Sequence, residues 1–103
     1  VMTWSLGLLE RFLGIAAMSA GNFDVAEQHF RTGLHQAESI PVVPEQGEMR
    51  RWWAIMLQRR DADGDREFAR ELLADAREVY RKCGMPKHDG LAGELLDALE
   101  VGR

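Results

Sequence analysis

The chain has 103 residues, of which 46% are hydrophobic and 29% are charged. That length fits one domain, and the hydrophobic fraction excludes a disordered chain because enough apolar surface is present to offset chain entropy. Lys and Arg number 13 against 17 Asp and Glu, so the net charge of -4 disfavours a general nucleic-acid binder. The single cysteine excludes an internal disulfide. A run of about 18 apolar residues does not occur, so the sequence predicts no membrane-spanning helix.

A short apolar run from Phe12 to Ala20 has the length of a signal-peptide core. Its flank differs from that of a secretion signal, because Glu10 and Arg11 directly before it cancel in charge. The lone Cys83 suits a reducing compartment. We therefore expect a cytoplasmic protein rather than a secreted one.

Apolar residues recur at intervals of three and four along most of the chain, which is typical of amphipathic helices. Breaks are predicted by Gly21, by the two prolines in the segment 40–47 and by the turn at 61–65. Asn22 and Asp65 are the predicted N-caps of the helices that follow them, since their side-chain oxygens can accept free backbone N–H groups. The sequence predicts an all-α chain with five helices, over about 3–20, 23–39, 46–60, 65–83 and 87–101.

Two segments share a pattern of small and large residues, which indicates an internal repeat. The first segment contains Leu13-Gly14, Gly21, Phe23, Ala26, Phe30 and Leu34. The second contains Trp53-Ala54, Leu57, Gly64, Ala69, Leu73 and Ala76. The small residues let two paired helices approach closely, and the large residues one turn later fill the remaining space. We predict one domain made of two stacked antiparallel hairpins, over about 3–39 and 46–83, with a capping helix over about 87–101.

These residues resemble the tetratricopeptide repeat (TPR) family over roughly positions 7–86. The chain departs from the family at Ala17, where a large aromatic residue is usual, and at Gly33, which replaces an alanine. The hairpins also repeat at a longer interval than the family's usual length of about 34 residues. Longer repeats of this kind, with the phrase RRDADGDREFARELLADAREVYRKCGMP, are similar to C-terminal regions of bacterial regulators that combine an ATPase core with a cyclase or DNA-binding output domain. The resemblance implies a short right-handed solenoid whose first helices line a concave, peptide-binding surface.

The first helix is apolar around nearly its whole circumference, as is usual for a helix buried on more than one side. Its hairpin partner covers one side only. We expect the other side to contact a second copy of the chain or a preceding repeat of a longer parent protein. The predicted self-association residues are Trp4, Leu8 and Phe12. The last helix has the pattern of a terminal cap, with leucines on one face. Those leucines are Leu91, Leu95, Leu96 and Leu99.

Motifs for catalysis and metal binding are missing from the sequence. His29 and His35 are separated by an interval that places them on different faces of a helix, and no pair of cysteines is available. The glycines form neither a GxGxxG nor a GxxxxGK[ST] phosphate loop. We therefore expect no enzyme activity, no metal and no cofactor.

Basic and aromatic residues are concentrated at Arg50-Arg51-Trp52-Trp53 and Arg59-Arg60. Helical spacing places some of these residues on one face of the third helix. Alignment of the two repeats places residues of the first helix beside that face. The predicted partner-binding groove consists of Arg11, Ile15, Met18, Arg51, Ile55, Gln58 and Arg59. It would bind an acidic or mixed apolar and acidic protein segment, since Arg binds carboxylate through two hydrogen bonds. The alternative is that these arginines pair within the chain, with Glu45, Glu48 and the DADGD turn.

The leading hypothesis is a non-catalytic protein–protein interaction module, belonging to or derived from a bacterial signalling or transcriptional regulator and prone to self-association. A second hypothesis is nucleic-acid binding through an arginine cluster with tryptophan stacking. That cluster consists of Arg50, Arg51, Arg59 and Arg60. A third hypothesis is a small-molecule sensor with a pocket between the hairpins. The residues that would line that pocket are Trp52, Trp53 and Met56.

Overall fold

The computed structural model describes the backbone of residues 2–39 and 43–101 and the side chains of residues 8–39 and 43–100. Both ranges are helical apart from short turns, so the chain is all-α as predicted. The five helices are α1 (Met2–Ser19), α2 (Phe23–Ser39), α3 (Val43–Arg60), α4 (Asp65–Lys82) and α5 (Pro86–Val101). The largest difference from the predicted boundaries is at α3, which includes Pro44 in its first turn. Proline is tolerated there because the first N–H groups of a helix have no partner within the helix.

The predicted N-caps have different outcomes. Asn22 lies directly before α2, at the predicted cap position, and its backbone carbonyl, rather than the side-chain oxygen of the prediction, accepts the N–H of Ala26 at 2.9 Å. The predicted N-cap at Asp65 is wrong, because Gly64 occupies the cap position with a φ of 83° and Asp65 is the first helical residue. Glycine suits this position since a left-handed backbone strains residues with a side chain. The Asp65 carboxylate instead accepts the N–H of Ala62 at 3.0 Å and so stabilises the turn.

Close approach of α1 and α2 depends on a glycine. A Cβ atom added to Gly14 would lie 2.6 Å from Cε1 of Phe30, so the Phe30 ring occupies the space that any side chain at position 14 would need. Phe30 and Ala26 on α2 have no exposed surface, and neither has Ala69 on α4. Most of the small and large residues that defined the sequence repeat therefore lie in the core, as predicted, whereas Leu13 is 40% exposed and Gly21 and Gly64 lie in exposed turns.

The helices contact one another in an unequal pattern. Each helix packs against the next along the chain, α1 also contacts α3, and α3 also contacts α5. Within the described backbone, no Cα atom of α2 lies within 8 Å of a Cα atom of α4. Helices α1, α3 and α5 therefore form a continuous layer, which we call the odd-helix layer, while α2 and α4 are separated.

Helix α5 is held against α4 by polar and apolar contacts. Asp89 binds Arg77 at 2.6 Å and Arg81 at 3.2 Å, and these guanidinium groups hold the pKa of Asp89 below its usual range. Ala92 and Leu99 are buried. Leu91, expected on the same face as the other leucines, is 37% exposed. The expectation for Leu91 was wrong because Ala92, one position further round the helix, is buried in the core in its place.

None of the helices that the structure describes is both long enough and apolar enough to cross a membrane.

Candidate interaction surface

A network of charged side chains lies within the odd-helix layer, centred on Glu48 of α3. Its carboxylate binds Arg11 of α1 at 3.1 Å and Arg51 of α3 at 3.1 Å. It also accepts a hydrogen bond from the Tyr80 hydroxyl at 2.7 Å, and His88 of α5 lies 3.8 Å away. Only 13% of the Glu48 side chain is exposed. One carboxylate thus joins side chains from four helices, and we call this set, together with Glu45, the Glu48 network.

Tyr80 of α4 is the neutral partner in the Glu48 network. Its ring is fully buried, and its hydroxyl accepts a hydrogen bond from Arg51 Nε at 3.1 Å while donating to Glu48. Burial, and next the hydrogen bond to Glu48, raise the pKa of Tyr80 far above its usual value. The Tyr80 hydroxyl therefore stays protonated at neutral pH and donates its hydrogen bond to Glu48.

Glu45, one turn before Glu48 on α3, is the second carboxylate of the network. Its Oε2 atom lies 2.8 Å from Nε of Arg11. Burial raises the pKa of Glu45, and Glu48 raises it further, while Arg11 opposes both effects. Arg11 and Arg51 together face Glu45 and Glu48, so this part of the layer has two charges of each sign. The basic character predicted for the groove is therefore cancelled at its centre.

Apolar side chains lie beside the network on the same layer. Ile15 of α1 and Ile55 of α3 are half-buried against the core. Trp52 is half-buried as well, and the Arg51 guanidinium lies 5.2 Å from the centroid of its ring. Arg59, in the last turn of α3, is exposed and forms no ion pair with any side chain that the structure describes. The layer therefore offers apolar side chains, a centre in which positive and negative charges balance, and the exposed guanidinium of Arg59 at its edge.

The predicted groove residues have different surroundings in the structure. Arg11 and Arg51 are brought together, but by Glu48 rather than by an open groove. Met18 is 3% exposed and lies in the hydrophobic core, so its side chain does not line a surface. Gln58 is half-buried and Arg59 is exposed.

The predicted self-association residues lie on α1. Phe12 is 57% exposed, with the Arg11 guanidinium 5.4 Å from the centroid of its ring. Leu8 is half-buried. The prediction for Trp4 falls outside the side chains that the structure describes.

The remaining arginines of the sequence cluster are bound to carboxylates. Arg60 binds Asp65 with two nitrogens, at 2.8 and 2.9 Å, and also contacts Asp24 and Glu27 at 3.1 Å each. Asp65, and next Glu27, raise the pKa of Arg60, and the Arg60 guanidinium lowers the pKa of Asp65. Arg50 binds Glu38 at 2.9 Å. Phosphate groups would have to displace carboxylates at three of the four arginines that the nucleic-acid hypothesis requires.

The tryptophans and methionine expected to line a ligand pocket are mostly in the core. Met56 has no exposed surface, and Trp53 is 5% exposed with its indole N–H donating to Glu27 at 3.1 Å. The ring of Phe68 packs edge-on against Trp53, with the ring centroids 5.1 Å apart. These contacts place Trp53 and Met56 in the packed core rather than on the wall of an open pocket.

Sequence reasoning did not identify Tyr80 or His88 as parts of the layer. Glu45 and Glu48 were considered only as partners that could neutralise arginines. A usable signal was present: Glu45, Glu48 and Arg51 recur every third residue, which places a row of charge on one side of α3.

The described side chains contain no group of three or more His, Cys, Asp and Glu residues able to hold a metal ion. Comparison of the chain with family models, with curated proteins and with solved structures found no match.

Proposed function

We propose that this chain is a non-catalytic helical-repeat module of the TPR-like kind, which binds a protein segment along the odd-helix layer. The observation that carries the proposal is the unequal contact pattern. The odd-numbered helices contact one another, whereas α2 and α4 are apart in the described backbone. Such a pattern is expected of a curved stack of hairpins with α1, α3 and α5 on the concave side, and stacks of this kind bind extended segments there.

The chemistry of the layer supports an amphipathic partner. Ile15, Trp52 and Ile55 are half-buried and would take apolar side chains. Arg11 and Arg51 are already bound to Glu48, so they have little affinity left for an acidic partner. Arg59 is exposed in the last turn of α3 and would bind one carboxylate of the partner. We therefore propose an apolar segment with a local acidic residue rather than a strongly acidic one.

The proposed biological setting is a cytoplasmic regulator of the bacterial signalling type, in which this domain recruits a partner and another part of the protein acts on the signal. The support is the sequence repeat together with the helical pairing that accompanies it. The module would then contribute affinity and position and would carry out no chemistry.

Selection of peptides from a random displayed library on the wild-type protein tests this proposal. Binders should be amphipathic with an acidic residue, and Arg59→Glu should weaken them by about tenfold, corresponding to the loss of one charge-assisted contact. Lys82→Glu is the matched control, because Lys82 is an exposed cation in the last turn of α4, away from the odd-helix layer. Equal effects of the two variants, or no enrichment of peptides, would refute the proposed surface.

A further inference from the structure

The side of the first hairpin that faces away from α3 is unusually poor in charge. Helix α3 contacts α1 through Arg11 and contacts α2 through Glu27 and Glu38. Residues on the opposite side of each helix follow from the helical period. They are Leu9, Leu13 and Ala16 on α1, and Val25 and Thr32 on α2. We call this set the outer face.

The outer face is apolar and exposed. Leu9, Leu13 and Val25 are 49%, 40% and 47% exposed, and Ala16 and Thr32 are exposed as well. Phe12, at 57%, lies at the edge of the outer face. Large apolar side chains clustered in this way on a surface are typical of a contact site rather than of a free surface.

The charged groups found in this region already bind each other. His29 Nδ1 lies 2.6 Å from Oε2 of Glu10, and the pair bridges α1 and α2. Both side chains are mostly buried, at 29% and 21% exposed. A partner covering the outer face would therefore not have to supply a charge, and a charged partner would gain nothing there.

The opposite end of the chain provides the contrast. The exposed side of α5 includes Lys87, Glu94, Asp97 and Glu100, with Leu91 as its large apolar residue. A surface with this many charges is suited to water and has no need of a cover. The two ends of the helical array thus differ in chemistry, and only the outer face of α1 and α2 would gain from being covered.

We infer that the outer face binds the outer face of a second copy of this chain, related by a twofold axis. An apolar face whose one neighbouring carboxylate, Glu10, is already bound by His29 is complementary to itself, since no unpaired like charges meet across the axis. This inference deepens the proposed function by naming the partner of a second surface. It uses residues other than those of the odd-helix layer.

The area of the outer face sets the expected affinity of the dimer. Helices α1 and α2 have 18 and 17 residues. At about 1.5 Å per residue and about 10 Å per helix, the two cover roughly 500 Å². Stable interfaces bury about 800 Å² on each partner, so this contact is at the small end of the range. We therefore expect a reversible dimer that separates on dilution.

Light scattering on the full chain across a dilution series tests the inference. The mass should approach twice 11.7 kDa at high concentration and fall towards 11.7 kDa on dilution. Leu13→Glu and Thr32→Glu place a carboxylate on each helix of the outer face and should raise the dissociation constant at least about tenfold. Both positions are exposed, so circular dichroism should show unchanged helix content.

Leu91→Glu is the matched control, because Leu91 is 37% exposed on α5 and Leu13 is 40% exposed on α1. This variant should dimerise like the wild type. The inference is overturned by a folded wild-type chain that stays monomeric, by a dimer unaffected by both outer-face variants, by equal loss in Leu91→Glu, or by a mass that grows beyond two copies. Peptide binding at the odd-helix layer, measured on the same monomeric variants, should persist. If the wild-type protein bound no peptide, the proposed function would be contradicted, while the inference about the dimer would be unaffected.

Discussion

At the scale of single residues, Glu48 is the side chain on which most of the others in the odd-helix layer depend. It accepts from Arg11, Arg51 and Tyr80, and all three donors are largely buried. Removing one member of a buried polar network leaves its partners without hydrogen bonds, which costs more than the bond itself contributes. Removal of Glu48 should therefore destabilise the protein mainly through the buried donors that are left without an acceptor.

We expect Glu48→Ala to lower the free energy of unfolding by about 2–4 kcal/mol, because two guanidinium groups and a phenol lose a shared acceptor. Urea denaturation of the two proteins measures this difference. Glu67→Ala is the control, since Glu67 binds Arg70 at 3.2 Å but has 74% of its side chain exposed. That change should cost less than about 0.5 kcal/mol. Similar losses in the two variants would contradict the role given to the network.

Asp65 gives a prediction that depends on pH. Arg60 holds the pKa of Asp65 below its usual value, so the folded state binds this proton more weakly than the unfolded state does. The resulting stability is present above the pKa of the unfolded chain, near pH 4, and is lost as the pH falls through the lower folded pKa. Asp65→Asn should therefore cost about 1–3 kcal/mol at pH 7 and progressively less below about pH 4.

The measurement for Asp65 is urea denaturation of wild type and variant at several pH values between neutral and about pH 2.5. Asp63→Asn, in the exposed part of the same turn, serves as the control and should change little at any pH. A difference between wild type and Asp65→Asn that does not shrink in acid would show that the Arg60 pair is not its source.

At the scale of helices, the pairing of α1 with α2 depends on the missing side chain at position 14. Alanine normally stabilises a helix by about 1 kcal/mol over glycine. At Gly14 the added Cβ would lie 2.6 Å from the Phe30 ring, so the two helices would have to separate. We expect Gly14→Ala to destabilise the chain by about 1–3 kcal/mol despite its better helix propensity.

Gly90→Ala is the matched control for that prediction. Gly90 is also within a helix, but a Cβ added there meets no atom within 4 Å. This change should stabilise the chain by about 0.5–1 kcal/mol. Thermal unfolding shows directly whether each variant is more or less stable than the wild type. A change in stability of the same sign for both variants would contradict the packing described for α1 and α2.

The helices were accessible from the sequence because their signals are local. Apolar residues three and four positions apart define α4, and Gly64 with Asp65 defines its start to within one residue. The exchange of roles between Gly64 and Asp65 was missed because glycine caps a helix through its backbone conformation, which composition does not reveal.

The contacts of the odd-helix layer were not accessible in the same way. Arg11 and Glu48 are 37 positions apart, and Tyr80 is 32 from Glu48. Pairing over such intervals depends on which faces meet when helices stack. The alternative in which the arginines bind carboxylates of their own chain could be stated from the sequence. The structure was needed to find that Arg51 and Arg60 are bound whereas Arg59 is exposed.

At the scale of the whole molecule, the helical array has two surfaces with different chemistry. The odd-helix layer combines half-buried apolar side chains with neutralised charge, and the outer face of α1 and α2 is mainly apolar, with its Glu10–His29 pair already bound together. The two are separated by the body of α1, whose Arg11 points towards α3 and whose Leu13 points away. One chain could therefore bind a copy of itself and a partner segment at the same time.

Binding of a partner segment along the odd-helix layer is tested most directly by an amide chemical-shift map of the protein with a peptide from the selection. The shifted amides should lie on α1, α3 and α5 around Ile15, Ile55 and Arg59, while the amides of α2 and α4 stay unaffected. Shifts concentrated on α2 and α4, or spread evenly over all five helices, would contradict it.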